Sequence, residues 1–463
     1  MRSRARQPRH RGMGVHEALV ALLGFHLGRS WLAVSLLCLL AASGGPLRAA
    51  GEVGENPWLR IRHERIRTLL PRAMERVGVD AWLVICRENA NDPLALHVGG
   101  ENAGGAAVFL FLRDNGAVRS VAFSPRGEAT ALKDVGLHDE VVVLERGQDA
   151  IAAAARTLRK LDPSSVAVNS SAAPAADGLS FTQHRTLVRA LGSDLEGRLF
   201  SSQGLVEEWL SIKLPEEIEI MREAALLTER LQLEAYATVV PGRTRDSDLA
   251  RFLKDRMREL GVEDAWAPDQ NPNVNSGPDR GHSHATDRVI RAGDFIQTDF
   301  GVKVHGVWCT DIQRFAYVLG PGQTAPPEEA LERWEKSKRG SRAAFGAMRP
   351  GVRGYDVDAV QRAWMKQAGS EPVPWGTGHP VGYWAHDMGP ALSGAQRPGQ
   401  PSGASLRLLE PGQVFAFDGF FSWPLATGET KTLSVEEMAV ITESSAEFLI
   451  PPQEDLILIR SRP

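Results

Sequence analysis

Four carboxylates interrupt runs of residues that otherwise favour buried β-strands. Asp299 and Asp311 lie in DFIQTDFGVKVHGVWCTDIQRFAYVL, Asp418 lies in GQVFAFDGFF, and Glu436 lies in TLSVEEMAVIT. A carboxylate in such a setting is costly unless it is paired, hydrogen-bonded or coordinated to a cation. We therefore treat the four acids as candidates for one shared chemical role.

Asp299 and Asp311 are predicted to face each other across a β-hairpin. Opposed residues in an antiparallel hairpin have a constant number sum, so a turn centred on His305, beside Gly306, places the two acids directly opposite. Two opposed acids repel each other, and a cation between them removes the repulsion. The alternative is that both acids are bonded to backbone groups or to arginine.

His379, in the segment GTGHPVGYWAHD, adds a nitrogen donor to this set. A lone histidine in apolar and glycine surroundings is more often structural, so its weight here comes from the acids. Carboxylates with one histidine suit Mn²⁺, Fe²⁺, Co²⁺ or Zn²⁺, and the number of carboxylates favours two bridged ions over one. Such a pair of ions activates a water for hydrolysis of a peptide or related amide.

The elements that must position these residues fall into two predicted domains. Residues 55–201 alternate short apolar strands with helical stretches and include a hairpin that turns at Asn115-Gly116, a pair that favours tight turns. Residues 213–445 show two helices followed by strands, twice, which predicts an internally duplicated α/β unit. Its four predicted helices cover 214–239, 245–260, 327–348 and 355–367.

Composition limits the classes of function. The chain of 463 residues is too long for one ordinary core, and its 43% hydrophobic and 24% charged residues fit a soluble globular protein. A formal net charge of −4 gives no basic field, so nucleic acid is not the expected partner.

Residues 1–50 have the pattern of an export signal. Five arginines lie within residues 2–11, ahead of the apolar stretch Trp31–Ala42, and small residues follow that stretch. Twelve apolar residues are fewer than the roughly 20 that span a bilayer, so we expect a cleaved leader and a periplasmic or secreted protein. A retained membrane anchor is the alternative.

From about residue 55 to 445 the chain resembles the pita-bread metallopeptidase family, which includes Xaa-Pro aminopeptidases, prolidases, methionine aminopeptidases and the metal-free creatinase. IKLPEEIEIMREAALLTE resembles the helix that opens the catalytic domain of the family, and TDFG, TDIQR and GHPVG resemble its ligand motifs. The resemblance implies an α/β (α+β) fold, with a creatinase/prolidase-like domain followed by a duplicated pita-bread catalytic domain.

The resemblance also implies roles for single residues. The metal ligands of the family match Asp299, Asp311, His379 and Glu436, and Asp418 stands where a glutamate is usual. Two catalytic histidines match His282 and His386, and His284 is a less suitable substitute for His282. The implied cofactor is two divalent metal ions (Mn, Co, Zn or Fe), the implied partner is a peptide, and the dimers common in the family make a homodimer an option.

Four positions depart from the family pattern. Asp299 and Asp311 are twelve residues apart, one more than expected, which one extra turn residue absorbs. Asp418 is shorter than glutamate by one methylene, about 1.5 Å, which threatens one metal site. Trp375 replaces a frequent histidine, and Ser434 replaces an arginine frequent in prolidase-like members, which weakens an assignment to proline-containing substrates.

The sequence therefore predicts an exported, metal-dependent aminopeptidase or dipeptidase, with Xaa-Pro peptides as one candidate substrate class. Two alternatives stay open. A non-peptidase amide or amidine hydrolase on the same fold is motivated by Ser434, and a catalytically silent binding protein is motivated by Asp418.

Overall fold

The structure, a computed structural model, describes residues 55–277, 283–395, 401–426 and 428–460. All of them belong to one compact unit, Val53–Pro463. The leader at residues 1–50 and His282 lie outside the described residues, so both stay predictions. The domain limits 55–201 and 213–445 also stay predictions. Within the described ranges, no helix has the length and apolar character needed to cross a membrane.

The first part of the chain folds around one six-stranded sheet. Its strands are β1 (Ala81–Arg87), β2 (Ala106–Asp114), β3 (Ala117–Pro125), β4 (Glu140–Leu144), β5 (Val166–Val168) and β6 (Leu199–Ser201). Its helices are α1 (Trp58–Val77), α2 (Ala95–Val98), α3 (Arg126–Val135), α4 (Ala150–Leu161), α5 (Phe181–Leu191), α6 (Ser193–Glu196) and α7 (Gln203–Ser211). The strand order is β4-β3-β2-β1-β5-β6, with both parallel and antiparallel neighbours, so the expected α/β character is confirmed.

The β2–β3 hairpin turns where the sequence predicts. Asp114 pairs with Ala117, which leaves Asn115 and Gly116 as a two-residue loop. Both loop residues have positive φ, 47° and 84°, as this tight turn requires. The Asn-Gly pair therefore fixes the register of the hairpin.

Two pairs of helices each precede a group of strands in the second part of the chain. The helices are α8 (Pro215–Ala237), α9 (Asp246–Leu260), α10 (Glu328–Ala347) and α11 (Gly354–Ala368), each within two residues of its predicted ends. The strands after α9 are β7 (Glu263–Asp264), β8 (Asn273–Ser276), β9 (Phe295–Phe300), β10 (Val302–Val304), β11 (Trp308–Cys309) and β12 (Ile312–Leu319). Those after α11 are β13 (Gly378–Pro380), β14 (Val414–Pro424), β15 (Thr430–Ile441), β16 (Ala446–Phe448) and β17 (Ile457–Arg460).

Two four-stranded sheets carry the candidate site. Their orders are β17-β12-β9-β8 and β13-β14-β15-β16. They meet where β12 lies beside β15, since Ser434 Oγ donates to Gln313 Oε1 at 2.7 Å and Arg314 Nη1 pairs with Glu437 Oε2 at 3.0 Å. This contact brings the acids of β9 and β12 towards those of β14 and β15.

Helix α8 packs against the β17-β12-β9-β8 sheet, on the face opposite to the one that carries Asp299 and Asp311. Gln232 Nε2 donates to the carbonyl of Ile312 at 2.8 Å, and the Tyr236 hydroxyl donates to the carbonyl of Arg314 at 2.6 Å. Both contacts are buried, so they fix the backbone of β12 from behind.

Helix α10 packs closely on the strand that carries Asp418, and Gly419 makes this possible. A Cβ at Gly419 would lie 2.0 Å from the backbone nitrogen of Ser341 and 2.3 Å from the carbonyl oxygen of Ser337. Ser337 Oγ donates to the carbonyl of Gly419. The backbone beside Asp418 is therefore held against the helix.

Candidate metal centre

Three carboxylates converge where the two sheets meet. Asp299 lies near the end of β9, Asp311 directly precedes β12, and Glu436 lies in the middle of β15. Each offers an oxygen that lies within 4.8 Å of oxygens of the other two. Such spacing lets three acids bind the same cation.

The predicted opposition of Asp299 and Asp311 is wrong. Asp299 pairs with Gln313, because the hairpin is centred on Gly306 and three residues separate the paired Val304 and Trp308. The true register differs from the expected one by two residues, and side chains alternate with a period of two, so Asp311 stays on the face of Asp299. The carboxylates meet diagonally, which cross-strand geometry allows.

Asp418 stands directly opposite Glu436 in the β14–β15 pair. Asp418 Oδ1 and Glu436 Oε2 are both buried and have no hydrogen-bond partner in the described part of the chain. Asp418 nevertheless joins no group of three ligand atoms within 4.8 Å of one another among the described residues. Its shorter side chain leaves it at the margin of the cluster.

Burial and mutual repulsion disturb the titration of these acids. Burial, followed by the charges of neighbouring acids, raises the pKa of Asp311 and of Glu436 well above the usual range. Burial and then the charge of Asp299 do the same to the pKa of Asp418. Neither Asp311 nor Glu436 has an arginine or lysine as ion-pair partner within the described residues. Divalent cations would satisfy the unpartnered oxygens and cancel the repulsion.

His379 enters the cluster from β13, where it pairs with Ala416 of the neighbouring strand. Its Nε2 lies 3.7 Å from Asp311 Oδ2, and its Nδ1 lies 3.3 Å from the carbonyl oxygen of Pro380. Burial, and then the nearby His386, lower the pKa of His379 to about 3. A neutral ring that donates from Nδ1 leaves the Nε2 lone pair free for a metal ion.

His386 lies beside His379, with ring centroids 4.1 Å apart in an edge-to-face arrangement. Together with Asp311 the two histidines form a second group of potential ligands within 4.8 Å of one another. Geometry therefore permits His386 to act as a ligand or as the predicted catalytic group. His284 is exposed, and its predicted role as a substitute for His282 is not tested.

Comparison with known proteins agrees with this arrangement. Residues 219–443 match the model of metallopeptidase family M24. These residues belong to family M24. The match contains every predicted metal ligand and both predicted catalytic histidines, so the expected resemblance is confirmed at the level of the family.

Individual relatives point the same way. The chain is 28% identical to the probable dipeptidase PepE of Mycobacterium tuberculosis over 251 residues, which are 54% of this chain and 60% of that protein. The chain thus spans less than two thirds of that relative.

Solved structures show the same fold. An Xaa-Pro dipeptidase from Bacillus anthracis superposes with a TM-score of 0.65 at 21% identity, covering 87% of this chain and all of that one. An X-Pro aminopeptidase from Thermotoga maritima superposes with a TM-score of 0.63 at 22% identity, covering 84% and all, respectively. The expected pita-bread fold is therefore confirmed.

Sequence reasoning missed an amide beside the M24 acid cluster. Gln313 Nε2 lies 3.5 Å from Asp299 Oδ2, and Gln313 Oε1 accepts from Gln297 Nε2 at 2.6 Å. Both glutamines interrupt apolar strands on the face of Asp299. That pattern is a usable signal, although an uncharged polar residue attracts less attention than an acid.

Two further carboxylates, Asp387 and Asp358, bind the backbone segments that carry the two histidines. Asp387 Oδ2 accepts from Lys213 Nζ at 3.1 Å and from the backbone of Tyr383 at 3.0 Å, which ties down the loop that carries His386. Asp358 Oδ1 accepts from the backbone of Thr377 at 3.2 Å, just before the strand of His379. Lys213 and Asp387 are 174 positions apart, so their pairing could not be predicted from local sequence patterns.

Proposed function

We propose that this protein is a metal-dependent peptidase that removes the N-terminal residue of short peptides. The convergence of buried Asp299, Asp311 and Glu436 carries the proposal, because a shared cation explains why acids stand in buried strands. Membership of residues 219–443 in family M24 and the dipeptidase relatives support it.

We assign the metal ligands to the predicted five residues: Asp299, Asp311, His379, Asp418 and Glu436. Two divalent ions bound there would lower the pKa of a water and polarise the scissile carbonyl. The acids would hold the ions through carboxylate oxygens, of which Asp418 Oδ1 and Glu436 Oε2 have no hydrogen-bond partner within the described residues, and neutral His379 would contribute Nε2. Mn²⁺ and Co²⁺ are the first ions to test.

We propose that His386, beside His379, stabilises the developing negative charge on the substrate. Its side chain is more exposed than that of His379, and burial lowers its pKa, which favours a neutral ring with one N–H donor. A hydrogen bond from this donor would orient the scissile carbonyl. His282 remains the predicted second group of this kind, and we propose that Glu436 or its neighbour accepts a proton from the water and transfers it to the leaving amine.

Turnover of a library of short peptides, with and without Mn²⁺ or Co²⁺, tests the proposal. Dipeptides, Xaa-Pro peptides and small amides belong in the same library, because the names of the relatives suggest the first two and Ser434 motivates the third. Metal-dependent release of an N-terminal residue is expected. Cleavage of small amides alone would favour the non-peptidase alternative, and no turnover of any member would favour a binding protein.

We also propose that the chain is exported, on the basis of residues 1–50 alone. N-terminal sequencing of the mature protein from separated cell fractions tests this. Export predicts a chain that begins after the apolar stretch Trp31–Ala42 and occurs outside the cytoplasm. An intact N-terminus in the cytoplasm would contradict it.

A further inference from the structure

Gln313 is hydrogen-bonded at both ends of its side-chain amide. Its oxygen accepts from Gln297 Nε2 at 2.6 Å and from Ser434 Oγ at 2.7 Å. Its nitrogen faces Asp299 Oδ2 at 3.5 Å. Both acceptor positions of the amide and one of its two donors are therefore used.

The anchors leave Gln313 a single amide orientation. Gln297 Nε2 also donates to Ser434 Oγ at 3.2 Å, and Gln297 Oε1 accepts from Asn275 Nδ2 at 3.2 Å, so this neighbour is fixed as well. Gln297, Gln313 and Ser434 are all buried, which removes water as a substitute partner. A reversed Gln313 would set its NH₂ against the NH₂ of Gln297 and its oxygen against the carboxylate of Asp299.

We propose that Gln313 is a positioning residue that orients Asp299 as a metal ligand, with Gln297 and Ser434 as its anchors. The inference rests on the proposed metal-dependent function and adds residues that determine the metal affinity of the site. Gln313 occupies one oxygen of Asp299, while Glu436 Oε2 has no hydrogen-bond partner within the described residues and is available to an ion. A neutral donor orients Asp299 without adding a positive charge that would repel the ions.

The test compares Gln313→Leu with a matched control, Gln232→Leu. Gln232 is a buried glutamine that donates to the backbone of Thr298 and Ile312 from the opposite face of the same strands and contacts none of the acids. Calorimetric titration of each full-length variant with Mn²⁺ gives dissociation constants. Urea unfolding in the presence of a chelator reports the stability of the metal-free chain separately.

We expect Gln313→Leu to weaken Mn²⁺ binding by about 10- to 100-fold, the usual effect of removing a hydrogen-bond partner of a ligand. Gln232→Leu should lower metal-free stability but leave the Mn²⁺ dissociation constants within about threefold. Affinity unchanged in Gln313→Leu, or weakened equally in Gln232→Leu, would overturn the proposal.

If Gln313→Leu does not fold, Ser434→Ala decides, because it removes one anchor and keeps the amide. Weaker Mn²⁺ binding by this folded variant supports the proposal, and unchanged binding overturns it. Failure of the parent chain to bind Mn²⁺ would instead contradict the proposed function, so the two failures are distinguishable.

Discussion

Asp418 is the residue on which the metal affinity of the proposed centre should depend most. It faces Glu436 across the β14–β15 pair and carries a buried oxygen with no hydrogen-bond partner within the described residues. It lies outside the groups whose ligand atoms are within 4.8 Å of one another there. Gly419 packs against α10, so the backbone has little freedom to shift towards the acids and compensate for the missing methylene. We infer two metal sites of unequal affinity.

Asp418→Glu should strengthen the weaker site. The additional methylene extends the carboxylate by about 1.5 Å, towards the other acids. We expect the Mn²⁺ dissociation constant of the weaker site to fall by about 10-fold or more, and peptide turnover at limiting metal to rise. Calorimetry and turnover assays measure both, with the exposed Asp455→Glu as a control. Unchanged constants in Asp418→Glu would show that Asp418 is not a ligand.

At this scale the sequence was informative about charge and less so about neutral residues. Acids in apolar strands are costly, so Asp299, Asp311 and Glu436 were conspicuous. Gln313 was not, because a buried amide can satisfy itself in many local ways. Lys213 and Asp387 meet only in the folded chain, and neither neighbourhood in the sequence indicates the other.

At the scale of elements, helices were predicted well and the β9–β12 register was not. Long periodic segments with a proline or glycine at their ends, such as α8 and α9, define their own limits. A hairpin register depends on the number of turn residues. Three residues, His305 to Val307, lie between the paired Val304 and Trp308, and that number was not visible in the sequence.

Gly419→Ala should separate α10 from β14. The new Cβ would meet the backbone of Ser337 and Ser341, which cannot move aside as a flexible side chain would. We expect the free energy of unfolding to fall by about 1–3 kcal/mol, the usual cost of overpacking, and Mn²⁺ affinity to change because Asp418 is adjacent.

Gly346→Ala is the matched control for that substitution. Gly346 lies in the same helix, and a Cβ there has no atom within 4 Å. Alanine should raise helix stability by about 0.5–1 kcal/mol without affecting metal binding. Urea denaturation measures both variants, and equal effects of the two would contradict the packing argument.

At the scale of the whole molecule, buried ion pairs join the two parts of the chain around the site. Glu217 of α8 accepts from Arg65 of α1 at 2.6 Å and from the hydroxyl of Tyr383 at 2.7 Å. Burial opposes ionisation of Glu217, but Arg65 and the hydrogen bonds outweigh it and lower its pKa. Because Tyr383 lies in the loop between His379 and His386, this network connects the first helix to the histidines.

The acid cluster should make the metal-free protein less stable as pH rises. Asp311, Asp418 and Glu436 have raised pKa values in the folded chain, so above about pH 4 the unfolded chain has lost protons that the folded chain retains. The free energy of unfolding of the metal-free chain then falls with increasing pH until the pH exceeds the raised pKa values of the folded chain. Bound metal reverses this pH dependence. Urea unfolding at several pH values, with chelator or with Mn²⁺, measures this. Parallel pH profiles in both conditions would contradict the account.

Two adjacent glutamates should respond in opposite directions in the metal-free chain at neutral pH. Glu436→Gln removes a repelling acid and should raise the free energy of unfolding. Glu437→Gln removes one of the two carboxylate partners of buried Arg314, the other being Glu229, and should lower it. Urea unfolding of both variants with chelator measures the two effects. A lower free energy of unfolding for Glu436→Gln would mean that Glu436 has a purely structural role.

The central claim, that these acids and histidines hold divalent ions, is tested most directly by calorimetric titration of the full chain with Mn²⁺. Asp311 belongs to both groups of potential ligands, so Asp311→Asn removes a donor from each. We predict about two ions per chain for the parent protein, bound with unequal affinity, and loss of specific binding in Asp311→Asn. Absence of specific binding by the parent chain, or identical titrations of the two proteins, would contradict it.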